Sequence, residues 1–208
     1  MSKELIKRIL SSIILLPLVL YLIISGSFYL IFFIIICFLI ASYEWLKMTK
    51  KKNYKILGFI FLIFSFYTFY ETTKNDLWVF VLLTCISTDI GGYFFGKIFK
   101  GPKLTKISPN KTYAGMIGGY FLSLICLAII TNYIDYQHIP IQFFLLTLLI
   151  STVSQIGDII ISYFKRLSKI KDTGKIIPGH GGLLDRIDGM IFTFPIVYLI
   201  NLTGYLNV

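Results

Sequence analysis

Charge is scarce in this 208-residue chain: 14% of its residues are Asp, Glu, Lys or Arg, against 56% hydrophobic, and the mean hydropathy is +0.80. So few charges cannot cover a water-exposed surface, which excludes an ordinary soluble fold and points to an integral membrane protein. Cysteine is limited to Cys37, Cys85 and Cys126, each alone within an apolar run. An odd number without CxxC spacing excludes a disulfide framework and a cysteine zinc site, leaving three small packing residues. Neither an internal repeat nor a low-complexity linker interrupts the chain, so one membrane domain over 1–208 is expected. No short hydrophobic segment precedes a small-residue cleavage site and a soluble body, so the first apolar run is expected to be a retained span.

Crossing the hydrocarbon core takes about 20 mostly apolar residues. Runs of that kind lie near 9–25, 27–46, 54–71, 77–98, 114–131, 141–164 and 188–206. The expected fold is all-α, a polytopic bundle of about seven transmembrane helices, with a kink at Pro17 and a tight connection at Ser25-Gly26-Ser27. The bases outnumber the acids 20 to 10, and their placement fixes an orientation. Alternate connections carry Lys3, Lys7 and Arg8, then Lys47 to Lys55, then Lys97 to Lys111, then Lys165 to Arg186, while the opposite connections carry only Lys74. With 19 of the 20 bases on one side, that side and the N-terminus are expected to be cytoplasmic. A net charge of +10 spread over membrane connections, without an aromatic-interleaved patch, argues against nucleic acid as a partner. It suits anionic headgroups and nucleotides, at roughly 1 kcal/mol per base near the surface.

Charge is abundant in one place. From Asp158 to Asp188 the chain gathers Asp158, Asp172, Asp185 and Asp188, six bases, Ser162 and the run Pro178-Gly179-His180-Gly181-Gly182. If the preceding apolar helix continues to Arg166, then Asp158, Ser162 and Lys165 share one of its faces, and Asp185 and Asp188 share a face at the start of the next helix. Carboxylates hold magnesium, with substrate phosphates completing the shell, while lysines and backbone N–H groups hold phosphate oxygens. A solvated loop whose charges only set topology would need neither carboxylates nor a glycine run.

Asp89, in an otherwise apolar or small run, is either functional or hydrogen-bonded to a neighbouring helix, and Gly91, Gly92 and Gly96 permit close approach beside it. The loop that follows, with five lysines and Ser108-Pro109-Asn110-Lys111-Thr112, can fold over an anion before Tyr113 begins the next helix. Ser151, Ser154, Gln155 and Asp158 are expected to face the bundle interior. Glu44, beside Lys47 and Lys50, is expected at the headgroup boundary, and Asp135 and His138 are given no role.

From Ser162 to Asp188 the order of Ser, Lys165-Arg166, Lys171-Asp172, Pro-Gly-His-Gly-Gly, Asp185-Arg186 and Asp188 resembles the signature of the CDP-diacylglycerol synthases, or phosphatidate cytidylyltransferases. The loop at 108–115 is similar to that family's Ser-Pro-Lys-Lys-Thr-Trp-Glu-Gly run, departing from it at Asn110, Tyr113 and Ala114. The resemblance implies a nucleotidyltransferase that uses CTP and phosphatidate, depends on Mg2+ (more than one divalent ion, with a monovalent cation allowed for), and sits in the cell inner membrane with its site on the cytoplasmic face. A homodimer is compatible with it. Asp158 and Asp185 are then the first choices as magnesium ligands, with Asp188 and Asp89 next. Lys165, Arg166, Lys171 and Lys111 are expected to contact phosphates, and Arg186 to hold the acids or diphosphate. Asp172 and His180 join the catalytic set, His180 as a proton donor or as a loop-positioning residue. Ser108, Thr112, Ser162, Gly181 and Gly182 are expected against substrate. The catalytic elements fall at about 85–115 and 151–190. A transporter built around Asp89, a transferase acting on another lipid phosphate and a membrane assembly subunit are the rival readings.

Overall fold

The computed structural model describes residues 13, 17–133, 141–177, 179 and 181–206. Among these the chain is helical apart from turns and two isolated bridges, Lys103 with Thr112 and Ile177 with Gly181. Helix is what lipid requires, because an apolar run rich in Ile and Phe has no water to bond its peptide groups and must satisfy them internally. In order the helices are α1 (described over 17–24), α2 (Ser27–Met48), α3 (Lys52–Thr72), a 3₁₀ turn at Thr73–Asn75, α4 (Leu77–Phe99), α5 (Tyr113–Tyr133), α6 (Ile141–Leu167), the single turn α7 (Leu184–Ile187) and α8 (Met190–Leu202). Helices α2 to α6 provide five segments long and apolar enough to cross a membrane. The fold is thus an all-helical polytopic membrane fold, as expected. Residues 14–16, over which a kink at Pro17 would be read, and the connection holding Asp135 and His138 lie outside the described residues.

The last apolar run is shorter than its hydropathy suggested. Helix α8 has 13 residues, about 20 Å of rise against a hydrocarbon core of about 30 Å. A turn at Asp188 and Gly189 separates it from α7, and Gly204, at φ +72°, follows its end. Elsewhere the stops are local as well. Helix α4 ends where Lys100 and Gly101 both take positive φ ahead of Pro102. Helix α2 ends at Thr49, whose hydroxyl and N–H both donate to the Trp45 carbonyl.

The chain divides into two compact units. The first comprises residues 1–70 and 164–187. There the Trp45 indole N–H donates to the Tyr54 and Lys55 carbonyls at 3.1 and 3.3 Å, and Phe164 meets the rings of Trp45 and Tyr54 edge-on. Ser168 Oγ donates to the Met48 carbonyl, which ties the end of α6 to the end of α2.

The second unit comprises residues 71–163 and 188–208. Its α4 and α5 approach through glycines: a Cβ on Gly115 would lie 2.6 Å from the Gly92 carbonyl, and one on Gly91 would strike that of Gly118. The polar stripe of α6 turns inward at its two serines, while Gln155 and Asp158 are half-buried. Ser151 and Ser154 are buried, Thr88 donates to Ser151 Oγ at 3.1 Å, and Tyr120 pairs with Thr152 at 2.8 Å. Cys85 is buried against Thr193, and all three cysteines are free thiols.

Candidate active site

The first unit carries most of the signature. Helix α6 brings Lys165 to its last turn, and the loop from 168 to 183 returns the chain to α7, which carries Asp185. Lys165 Nζ donates to Asp185 Oδ1 at 2.9 Å, and their side chains are only 11% and 7% exposed. The other oxygen, Oδ2, accepts the backbone N–H of Thr173 at 2.8 Å and of Gly182 at 3.1 Å. Burial pushes the Asp185 carboxyl up, but the Lys165 ammonium and the two N–H groups together outweigh it and hold the group below its ordinary value. Gly181, at φ +91°, closes the loop next to Asp172, whose Cβ would be 3.6 Å from a Cβ placed at that glycine. Lys171, Asp172 and Arg186 are exposed, and Arg166 bends back to the Ile170 carbonyl at 3.2 Å. Pro178 and His180 lie outside the described residues.

Glu44 belongs here too, which corrects its expected place at the headgroup boundary. It is 1% exposed. Its carboxylate accepts Thr173 Oγ1 at 2.9 Å, Leu184 N–H at 2.8 Å and Leu183 N–H at 3.1 Å. The neighbouring lysines suggested a boundary, whereas an acid inside the run Ala41-Ser42-Tyr43-Glu44-Trp45 was the signal that could have revealed it.

The second unit holds another charged group. Lys111, at the end of the loop 100–112, forms an ion pair with Asp158 Oδ2 on α6, and Ser162 Oγ donates to Asp158 Oδ1 at 3.3 Å. The i, i+4 relation of Asp158 and Ser162 is therefore realised. The loop is held by its own backbone: Leu104 N–H donates to the Lys111 carbonyl at 2.8 Å, Tyr113 N–H to Pro102 at 3.2 Å, and Lys111 N–H to Ser108 at 3.0 Å. Thr112 Oγ1 accepts Gly115 N–H at 3.1 Å and so caps α5, which begins at Tyr113 as expected. Asp89 is exposed on α4. Asp188 accepts the N–H of Gly189 at 3.0 Å. Helix α7 ends at Ile187, and Asp188 falls in the turn that follows it.

In each unit a carboxylate suited to a hard cation stands beside a lysine suited to an anion. Comparison with known proteins gives the chemistry a class. A sequence model of the cytidylyltransferase family matches residues 6–78 and 54–203. The chain belongs to that family. A phosphatidate cytidylyltransferase of Rickettsia typhi is 40% identical over 172 residues, 76% of this chain and 75% of that relative. Another of the same name, from Rickettsia felis, is 36% identical over 210 residues, 94% of this chain and 91% of the relative. One from Staphylococcus aureus is 36% identical over 173 residues, 78% of this chain and 65% of the relative. The resemblance read from Ser162 to Asp188 stands, and the cytidylyltransferase is a membrane enzyme whose signature loop is folded around Asp185.

Proposed function

We propose that this cytidylyltransferase transfers CMP from CTP to phosphatidate, giving CDP-diacylglycerol and diphosphate, at the cytoplasmic face of the cell inner membrane. The observation that carries the reading is the Lys165–Asp185 pair braced by the N–H groups of Thr173 and Gly182, inside the segment that carries the signature. A phosphate oxygen of phosphatidate forms a bond to the α-phosphorus of CTP, and the bond from that phosphorus to the bridging oxygen of the β-phosphate breaks. The nucleophile needs no general base, since the second pKa of a phosphomonoester is about 6. The protein has to align two polyanions and neutralise their repulsion. Lys165 and Lys111 are the phosphate-binding lysines of this reading, with Arg166, Lys171 and Arg186 as exposed bases that meet the nucleotide.

Magnesium fits the donor set. Among the described residues no three His, Cys, Asp or Glu side chains are grouped to cage an ion, so an ion held here takes one or two carboxylates and completes its shell from water and substrate phosphate. Asp185 Oδ1 accepts one bond and keeps a lone pair for this purpose, and Asp158 is partly open beside Lys111. They are the proposed ligands, with Asp188 and Asp89 next. When bound, the ion supplies charge neutralisation on the phosphates.

The decisive experiment incubates purified protein with radiolabelled CTP, magnesium and phosphatidate and extracts the lipids. Label in a lipid product that depends on phosphatidate is expected. Label that requires a different lipid phosphate would reassign the acceptor, and solute uptake by proteoliposomes without CTP consumption would make the chain a transporter.

Two further outcomes follow from this reading. Lys111→Gln is expected to raise the apparent KM for an anionic substrate by about tenfold or more, the worth of a hydrogen bond to a charged group, while the same change at Lys52, exposed at the start of α3, stays within about threefold. Equal effects in steady-state assays would remove Lys111 from the substrate contacts. In a background lacking Cys37, Cys85 and Cys126, Lys103→Cys should react with an impermeant thiol reagent only from the cytoplasmic side and Asn132→Cys only from the outside. Labelling of residue 103 from outside would invert the topology.

A further inference from the structure

Glu44 lies outside the signature, on a different helix, yet it holds the loop together. The loop residue Thr173 is gripped by two acids, donating its hydroxyl to Glu44 at 2.9 Å and its N–H to Asp185 at 2.8 Å. At the other end of the loop three successive N–H groups are divided between the same acids: Gly182 donates to Asp185, and Leu183 and Leu184 donate to Glu44. The fit leaves no room for a side chain. A Cβ at Gly182 would lie 2.6 Å from Glu44 Oε2, and one at Gly174 would strike Oε1. Among the described residues Glu44 makes no ion pair, and the donors that meet its buried carboxylate are a hydroxyl and two backbone N–H groups. A carboxylate buried without a cation is costly unless several donors meet it. Here the donors are the two ends of the loop that presents Asp185 to Lys165.

We propose that Glu44 is a positioning residue for cytidylyl transfer: from α2 it clamps Thr173 and the start of α7, and thereby fixes the Lys165–Asp185 pair. This rests on the reading that the pair handles substrate or its metal. Glutamine keeps the size of Glu44 but places an N–H₂ group against a hydroxyl or N–H donor, so the clamp cannot close fully.

The test is steady-state kinetics of the full-length protein with CTP and phosphatidate in defined micelles, on Glu44→Gln, Thr173→Val, Lys165→Arg and the double variants, with Asp185→Asn as a reference. Glu44→Gln should lower kcat between about tenfold and about 10²-fold, the scale of a small misplacement of reacting groups, with both KM values within about threefold. Glu44→Asp, which retains the charge but is one methylene shorter, should recover part of that loss. The loss from Glu44→Gln combined with Lys165→Arg should be smaller than the product of the single losses, because one acts through the other. Wild-type kcat in Glu44→Gln, or losses that multiply independently, would overturn the proposal. If Glu44→Gln does not yield folded protein, Thr173→Val with Lys165→Arg is read by the same two criteria, since it removes one donor of the clamp and leaves the Thr173 N–H on Asp185. Normal turnover in Asp185→Asn sinks the reading of the site and the clamp with it. An inactive Asp185→Asn beside a fully active Glu44→Gln sinks the clamp alone.

Discussion

Asp185→Asn is expected to leave a protein that inserts and can be purified but turns over at least about 10²-fold more slowly, the scale on which aligned charge contributes to such a transfer. Asp185 accepts three donors from three places: Lys165 Nζ on one oxygen, the N–H groups of Thr173 and Gly182 on the other. An asparagine has one acceptor oxygen and one N–H₂ group. If its oxygen serves the two N–H groups, its amide faces the Lys165 ammonium, donor against donor. If it turns over, both backbone N–H groups lose their acceptor in a buried place. Either way Lys165 is released or the loop opens, and the carboxylate proposed to meet magnesium is gone. The loss should therefore persist when magnesium saturates. Recovery of wild-type turnover at high magnesium would mean that the residue contributes only to metal affinity, and wild-type turnover at every concentration would remove it from the site.

Which features could be read in advance depends on how local their causes are. Helices α2 to α6 were legible because a run of about 20 apolar residues has no other stable state in lipid. The pairing of Asp158 with Ser162 was legible because helical spacing alone puts them on one face, and the start of α5 at Tyr113 followed the Pro- and Asn-containing loop before it. Helix α8 was read too long because hydropathy does not register the turn at Asp188 and Gly189 or the positive φ of Gly204. Glu44 was misplaced for a different reason. Its partners at 173, 183 and 184 are distant in sequence, and nothing nearby reveals that a loop will fold onto its carboxylate. Gly182, expected against substrate, and Gly174 both lie against the Glu44 carboxylate, where a Cβ would collide with it, and that proximity has no local signal in the sequence.

Lys165→Ala is expected to damage both turnover and stability, and Lys165→Arg mainly turnover. A lysine that only attracted the loop to anionic lipid would be exchanged for arginine with little effect, since that attraction depends on charge and not on shape. Lys165 is instead 9% exposed and set as a compact ammonium against Asp185. A planar guanidinium there needs space in a buried contact and points its donors differently, so Lys165→Arg should lose about tenfold or more in kcat while the protein remains inserted. Alanine leaves the Asp185 carboxylate buried with only its two N–H donors. Removing one partner of a buried pair costs on the order of 3 kcal/mol, and the thermal midpoint should fall accordingly. The pH dependence gives an independent sign. In the native protein the Asp185 carboxyl is held below its ordinary value, so its pairing stabilises the fold above the ordinary carboxylate range and is lost only as the pH falls through that depressed value. Without Lys165 the burial that pushes the carboxyl up is opposed by less, and the acid limb of the stability profile should move to higher pH. Native activity, by contrast, should fall on the acid side near the phosphomonoester pKa of about 6, well before Asp185 protonates. Melting curves of wild type and Lys165→Ala from below the ordinary carboxylate range up to neutral pH, read beside kcat for Lys165→Arg, check both statements. Identical acid limbs together with an unchanged kcat would return Lys165 to the role of a topological charge.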